Sequence, residues 1–112
     1  MKRSQVLVVL VTCPTQAVAR RLGRRLIARR VAACVNIVPG LTSIYRWKGR
    51  IEQANEVLLI IKTTSGAFAR LRREVLVAHP YETPEVIAMP VVAGHAPYRR
   101  WVQESVSPRP PA

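Results

Sequence analysis

Two hydrophobic periodicities alternate along this chain. Every position from Val6 to Val11 is apolar, which is the pattern of a strand covered on both faces. Gln5 to Thr12 therefore reads as a first strand. Pro14 ends it, Thr15 can cap, and Thr15 to about Arg30 follows as a helix with Val18, Leu22 and Leu26 on one side. Ala33 to Val38 is extended again, and Pro39-Gly40 marks a turn or bulge before the strand resumes from Leu41 to Lys48. Lys48-Gly49 reads as a hairpin turn. Arg50 to Thr63 returns as a long strand with the apolar run Val57-Leu58-Leu59-Ile60-Ile61. Ser65 is placed to cap a second helix reaching about His79, with Phe68, Leu71, Val75 and Leu76 on its apolar side. Glu85 to Gly94, interrupted by Pro90, reads as a fourth strand with Met89 in the core. Ala96 to Val106 is a short terminal helix with Pro97 in its first turn.

The order β-α-β-β-α-β plus a short helix predicts an α+β, ferredoxin-like sandwich with a long hairpin between the second and third strands. Residues 1–106 form one domain, and the Pro-rich segment 107–112 is expected to be disordered. At 112 residues, such a domain buries roughly two-thirds of its unfolded surface. Both helices cover the same face of the sheet, so its other face should alternate with polar residues. Val6 to Val11 and Val57 to Ile61 do not alternate. With no spare element to cover that face, the pattern calls for another copy of the chain.

Charge adds a second theme. The formal net charge is +12, from 18 Lys and Arg against 6 acidic residues, a field that attracts nucleic acid, anionic lipid or acidic proteins. Six arginines (20, 21, 24, 25, 29, 30) lie in the first helix, and Arg20, Arg21, Arg24 and Arg25 share the side opposite its apolar stripe. A solvated face is the simpler reading of that stripe, and no aromatic residues interleave with it for base stacking. Met1-Lys2-Arg3 before Val6 mimics a signal peptide, but the apolar run is shorter than the usual ~7–15 residues. No stretch approaches the ~18 apolar residues of a membrane span. Cys13 and Cys34 are too few for a disulfide framework, which favours a reducing, cytoplasmic setting.

The densest chemistry lies in His79-Pro80-Tyr81-Glu82-Thr83-Pro84-Glu85. Each proline pushes the residue before it out of the helical region, so His79 and Thr83 should be extended and the segment stiff. It reads either as a site or as a plain connector after a helix. Phosphate loops, His-Glu-x-x-His helices and paired thiols are absent from the sequence. A site assembled in space remains open: Cys34 with His79 suits copper or zinc, and Glu82 or Glu85 would add a carboxylate. Cys34 also reads as a small buried hydrophobe. Tyr45 and Trp47 alternate on one strand face, where they pack across an interface or against Trp101. Lys62 ends the central strand, either solvated or facing an anionic ligand, and His95 has no evident partner.

Ala33-Cys34-Val35-Asn36-Ile37-Val38-Pro39-Gly40, Ser43-Ile44-Tyr45-Arg46-Trp47-Lys48-Gly49, Ile61-Lys62-Thr63 and the His79–Glu85 segment, followed by Pro90, Gly94, Tyr98 and Trp101, resemble the hallmark blocks of the CutA divalent-cation tolerance family. The resemblance runs from about residue 5 to 106. Arg50 stands where that family usually has lysine, and Gln53-Ala54-Asn55 is less acidic than its common pattern. The resemblance implies a homotrimer whose long hairpins pair between subunits. It also implies binding of copper or other divalent metal ions, with Cys34 and His79 at the matching positions, a role in the response to metal ions, and neither an enzymatic activity nor an organic cofactor. It further implies an architecture similar to PII signalling proteins. The alternative reading is accordingly a small anionic effector held in an inter-subunit cleft by Trp47, Lys62, Tyr81 and Glu82. Nucleic acid is a third possible partner, on charge alone, and a membrane is not expected.

Overall fold

A computed structural model of the chain describes residues 4–106; the segment 107–112, expected to be disordered, lies outside them. The elements follow the expected order: β1 (Val6–Cys13), α1 (Gln16–Ala28), β2 (Cys34–Trp47), β3 (Arg50–Thr64), α2 (Phe68–Ala78), β4 (Ile87–Pro90) and α3 (Ala96–Ser105). The four strands form one antiparallel sheet in the order β2-β3-β1-β4. This is the ferredoxin-like α+β arrangement.

Side chains alternate across the central strands. Val9, Val11 and Cys13 of β1 and Val57, Leu59 and Ile61 of β3 meet Leu22 and Leu26 of α1 and Leu71 and Val75 of α2 in the buried core. Their neighbours Val8, Leu10, Leu58 and Ile60 point the other way and are half-buried. On that same open face, the register places Ile87 and Met89 of β4 opposite Leu10 and Val8, and both remain largely exposed. Met89 is thus not core: β4 is an edge strand of the sheet, and Met89 is 44% exposed. One end of the open face does have a cover. Val102 and Val106 at the end of α3 are buried, as is Val6, and Gln103 ties α3 to the Ser4 carbonyl at 3.0 Å. The expectation that the chain had no element for this face fails at that end.

Helix ends explain where the sequence reading holds and where it slips. Thr15 caps α1 by accepting from the Val18 N–H at 3.1 Å. The helix stops two residues before Arg30 because Arg30 takes a left-handed φ of 58°. Its N–H then reaches the Ile27 carbonyl and Val31 N–H reaches Leu26, a Schellman closure built on arginine instead of glycine. Ser65 does not cap α2. Its backbone N–H and its hydroxyl both bond Gln5 at the start of β1, and α2 begins after Ala67 with no side-chain cap. Leu76 falls on the outer side of α2 and is exposed. β4 is shorter than the predicted 85–94: its pairing with β1 runs from Leu10↔Ile87 to Leu7↔Pro90, followed by one further bond from the Val91 N–H to the Val6 carbonyl.

The long hairpin carries the detail that matters most for function. β1 pairs with β3 only as far as Cys13↔Val57, so 41–47 and 50–56 run on as a two-stranded ribbon. Its tip uses left-handed φ values at Lys48 and Gly49 (50° and 79°), the geometry of a type I′ turn. At Pro39-Gly40 the register shifts: Val38 faces Leu58 but Leu41 faces Glu56. One extra residue in β2 exchanges its two faces. Before the bulge Cys34, Asn36 and Val38 lie on the open face; after it Ser43, Tyr45 and Trp47 do.

Candidate functional site

The hairpin ribbon beyond the bulge, the end of β1 and the loop after α2 converge on a cleft of about 770 Å³ on the open side of the sheet. Its walls include Thr12, Tyr45, Trp47, Glu56, Tyr81, Glu82 and Glu85. Three of the chain's six acidic residues therefore meet in one hollow of a strongly basic molecule.

His79 fixes the loop that forms one wall. It ends α2 with an extended backbone, φ −82° and ψ 136°, as the following proline demands. Its buried ring lies between two backbone groups: Tyr81 N–H donates to Nδ1 at 3.1 Å, and Nε2 donates to the Thr12 carbonyl at 2.7 Å. The first bond requires a bare Nδ1 and the second a protonated Nε2, so the tautomer is set by the fold. Neither nitrogen is free for a metal in this conformation. The histidine fastens the loop to the end of β1.

Tyr81 carries the connection into the cleft. Its ring packs on His79 with centroids 4.7 Å apart, and its hydroxyl donates to Glu56 Oε2 at 2.6 Å. Burial, and then this bond to Glu56, pushes the phenol well above its ordinary pKa. Glu56 is itself only 8% exposed, and its charge reaches two more groups. It adds to burial in raising the Glu85 carboxyl, and it adds to burial in pushing the Cys13 thiol up to about 11. Glu56 is thus the hub of the cleft, and sequence reasoning passed over it. The available signal was a single acidic residue immediately before the apolar run Val57 to Ile61.

The remaining predicted residues lie elsewhere. Cys34 pairs with Lys62, which in turn pairs with Val8, whereas His79 bonds Thr12, four residues further along β1. With ~3.3 Å per residue along a strand and ~4.8 Å between strands, Cys34 and His79 are on the order of 15 Å apart. Cys34 instead shares a polar cluster with Asn36, Lys62 and Tyr98. The Lys62 ammonium donates to Asn36 Oδ1, the Cys34 thiol lies 3.8 Å from the same oxygen, and the Tyr98 phenol is raised by burial and by the adjacent Cys34. Among the described residues no group of three His, Cys or acidic side chains is arranged to hold a metal ion. Trp47, Tyr81, Glu82 and Glu85 come together; Lys62 and Cys34 form a separate cluster near α3; His79 stands behind the cleft wall.

The sequence matches the CutA1 divalent ion tolerance protein family over residues 7–105. This chain belongs to the CutA divalent-cation tolerance family, which is non-enzymatic. The divalent-cation tolerance protein CutA of Thermus thermophilus is 49% identical over 98 residues, 88% of this chain and 95% of that protein. Its solved structure superimposes with a TM-score of 0.90 at 47% identity, covering 91% of this chain and 99% of the Thermus chain. Mouse protein CutA is 51% identical over 100 residues, which is 87% of this CutA family member but only 56% of the mouse protein. The chain therefore spans little more than half the length of that mammalian relative. No helix among the described residues is long and apolar enough to cross a membrane.

Proposed function

We propose that this CutA family member is a homotrimeric, cytoplasmic protein that binds divalent metal ions and acts in the response to them, with the carboxylate cleft as the binding region. The observation that carries the reading is the gathering of Glu56, Glu82 and Glu85 in one cleft of a chain with net charge +12. Burial first and the Glu56 charge second raise the Glu85 carboxyl, and a cation in the cleft relieves the repulsion between the two carboxylates. Among the described residues, one subunit offers no finished coordination shell. In this reading Glu82 and Glu85 supply the accessible oxygens and a neighbouring subunit, packed on the open face, completes the site. Cys34 is a separate soft ligand for copper on that same face. His79 contributes by holding the loop; as a ligand it would first have to give up one of its backbone bonds. Two free thiols support a reducing compartment.

Calorimetric titration of the reduced oligomer with Cu(II), Zn(II) and Mn(II) tests this directly. Glu82→Gln with Glu85→Gln should weaken binding of all three ions at least tenfold. Cys34→Ala should weaken copper binding most. Unchanged affinities in both variants would remove the cleft and the thiol together. The effector reading is less favoured by the geometry for an anion: three carboxylates line the cleft, and Lys62, its intended cation, is not among the lining residues.

A further inference from the structure

Charge in this molecule is sorted by layer. α1 with the two residues after it carries Arg20, Arg21, Arg24, Arg25, Arg29 and Arg30, and α2 carries Arg70, Arg72 and Arg73. Against these nine arginines the two helices hold one acidic residue, Glu74. It sits between the helices, 2.8 Å from Arg25 Nε and 3.9 Å from Arg29 Nε. That pairing joins α1 to α2 and leaves the outer surface of the layer without a carboxylate. Arg20, Arg21, Arg24, Arg29, Arg30, Arg72 and Arg73 are all exposed there; Arg20 alone among them has a side-chain hydrogen bond, to Gln16 Oε1 at 2.9 Å. Most of the remaining acidic residues lie on the hairpin or in the cleft, on other sides of the molecule.

We infer that the outer surface of the α1–α2 layer docks the phosphate backbone of a double-stranded nucleic acid. Three features select that partner. Guanidinium groups match phosphate oxygens with two parallel hydrogen bonds, and every cation of this surface is arginine. The surface has no aromatic side chain: Phe68 packs against the core, and the other aromatics stand in the cleft, on the ribbon or on α3. Single strands bind by stacking on aromatics, so the absence selects a duplex. A membrane surface calls for large apolar groups on the contacting stripe. The exposed large apolar side chains of the layer are Ile27 on α1 and Leu76 and Val77 on α2, three among seven exposed arginines and too few for such a stripe. Such contacts read no sequence; they neutralise phosphates and release counterions. The surface also lies across the sheet from the open face, so occupation of one leaves the other free.

Fluorescence anisotropy with a labelled random-sequence duplex of about 30 base pairs, titrated with the intact protein at 50 to 200 mM salt, is the test. Contacts to four or more phosphates give a log–log salt slope of about −3.6 or steeper, roughly a hundredfold loss of affinity over that range. Arg20→Gln, Arg21→Gln and Arg24→Gln together should reduce the slope by about three. The corresponding Arg-to-Lys triple variant should keep it, because Lys still neutralises phosphate. A charge-matched control, Arg46→Gln, Arg50→Gln and Arg100→Gln, removes three exposed arginines from other elements and should leave the slope nearly unchanged. The proposal is overturned by absence of duplex binding at 50 mM salt or by equal losses in the helix and control variants. It is equally overturned by tighter binding of single strands, or by binding only to vesicles of phosphatidylserine and phosphatidylcholine.

Discussion

The two faces of the sheet are built from the same kind of residue and end up with opposite fates. On the helix side Val9, Val11, Leu59 and Ile61 are wholly buried. On the open side Val8, Leu10, Leu58 and Ile60 stay half-exposed, beside the still more exposed Ile87 and Met89. Aliphatic residues on the first face hold one chain together. On the second they have no such partner among the described residues apart from the strip under α3, and in the proposed trimer a neighbouring subunit buries them. The cleft lies on this second face, where the hairpin ribbon, the end of β1 and the loop after α2 meet. In the proposed trimer, a site placed there is shaped by assembly as well as by folding.

The largest effects are expected on the helix side of the sheet. Leu22→Ala or Ile61→Ala should destabilise the subunit by about 2–5 kcal/mol, through lost burial and the cavity left behind, and chemical denaturation measures it. Met89→Asp should leave subunit secondary structure intact by circular dichroism. It should also shift the light-scattering mass from three times the 12.5 kDa chain toward a single chain. If Met89→Asp unfolds the subunit instead, the two faces are not independent.

Next in size is the bond that joins loop and sheet. Tyr81→Phe leaves the buried Glu56 carboxylate without its 2.6 Å donor, and should cost about 1–3 kcal/mol. The thiols offer a sharper contrast without mutation. Cys13, on the helix side, is fully buried with its thiol pushed up to about 11, by burial first and Glu56 second. At pH 8 it should resist iodoacetamide in the native protein. Cys34, on the open face and partly exposed, should react if the oligomer leaves it accessible, and mass spectrometry after digestion distinguishes the two.

The smallest effect is electrostatic. Burial and the neighbouring Glu56 raise the Glu85 carboxyl above its ordinary range, so the folded state holds that proton more tightly than the unfolded one. Ionised Glu85 then opposes folding, and its contribution worsens as pH rises from below the usual carboxylate pKa through the raised folded value. Glu85→Gln should raise the melting temperature by on the order of a degree at pH 7 and by less at pH 4. A bound cation should abolish the difference.

Most of the scaffold was legible because local chemistry and tertiary structure agree. Thr15 caps, Lys48-Gly49 turns, Pro97 opens α3 and Pro39-Gly40 interrupts β2, each for a reason contained within a few residues. The apolar run Val6 to Val11 also disclosed a second face needing cover. Legibility ended where distant segments decide. Ser65 looks like a cap until Gln5, sixty residues earlier, takes both its groups. Met89 looks like core until β4 proves to be an edge. Cys34 and His79 both look like ligands, and only the register shows that they sit at opposite ends of the sheet. Glu56 was invisible because its importance comes from Tyr81 and Glu85, which reach it across the fold.

In the proposed trimer the open face both assembles the protein and holds the cation, through Glu82 and Glu85. Native mass spectrometry with and without added Zn(II) reads assembly and metal occupancy in one spectrum. The spectrum should show a trimer mass carrying stoichiometric zinc, and the same trimer with the zinc lost in the Glu82→Gln, Glu85→Gln variant. A single-chain mass, or a variant that keeps its full complement of zinc, would contradict it.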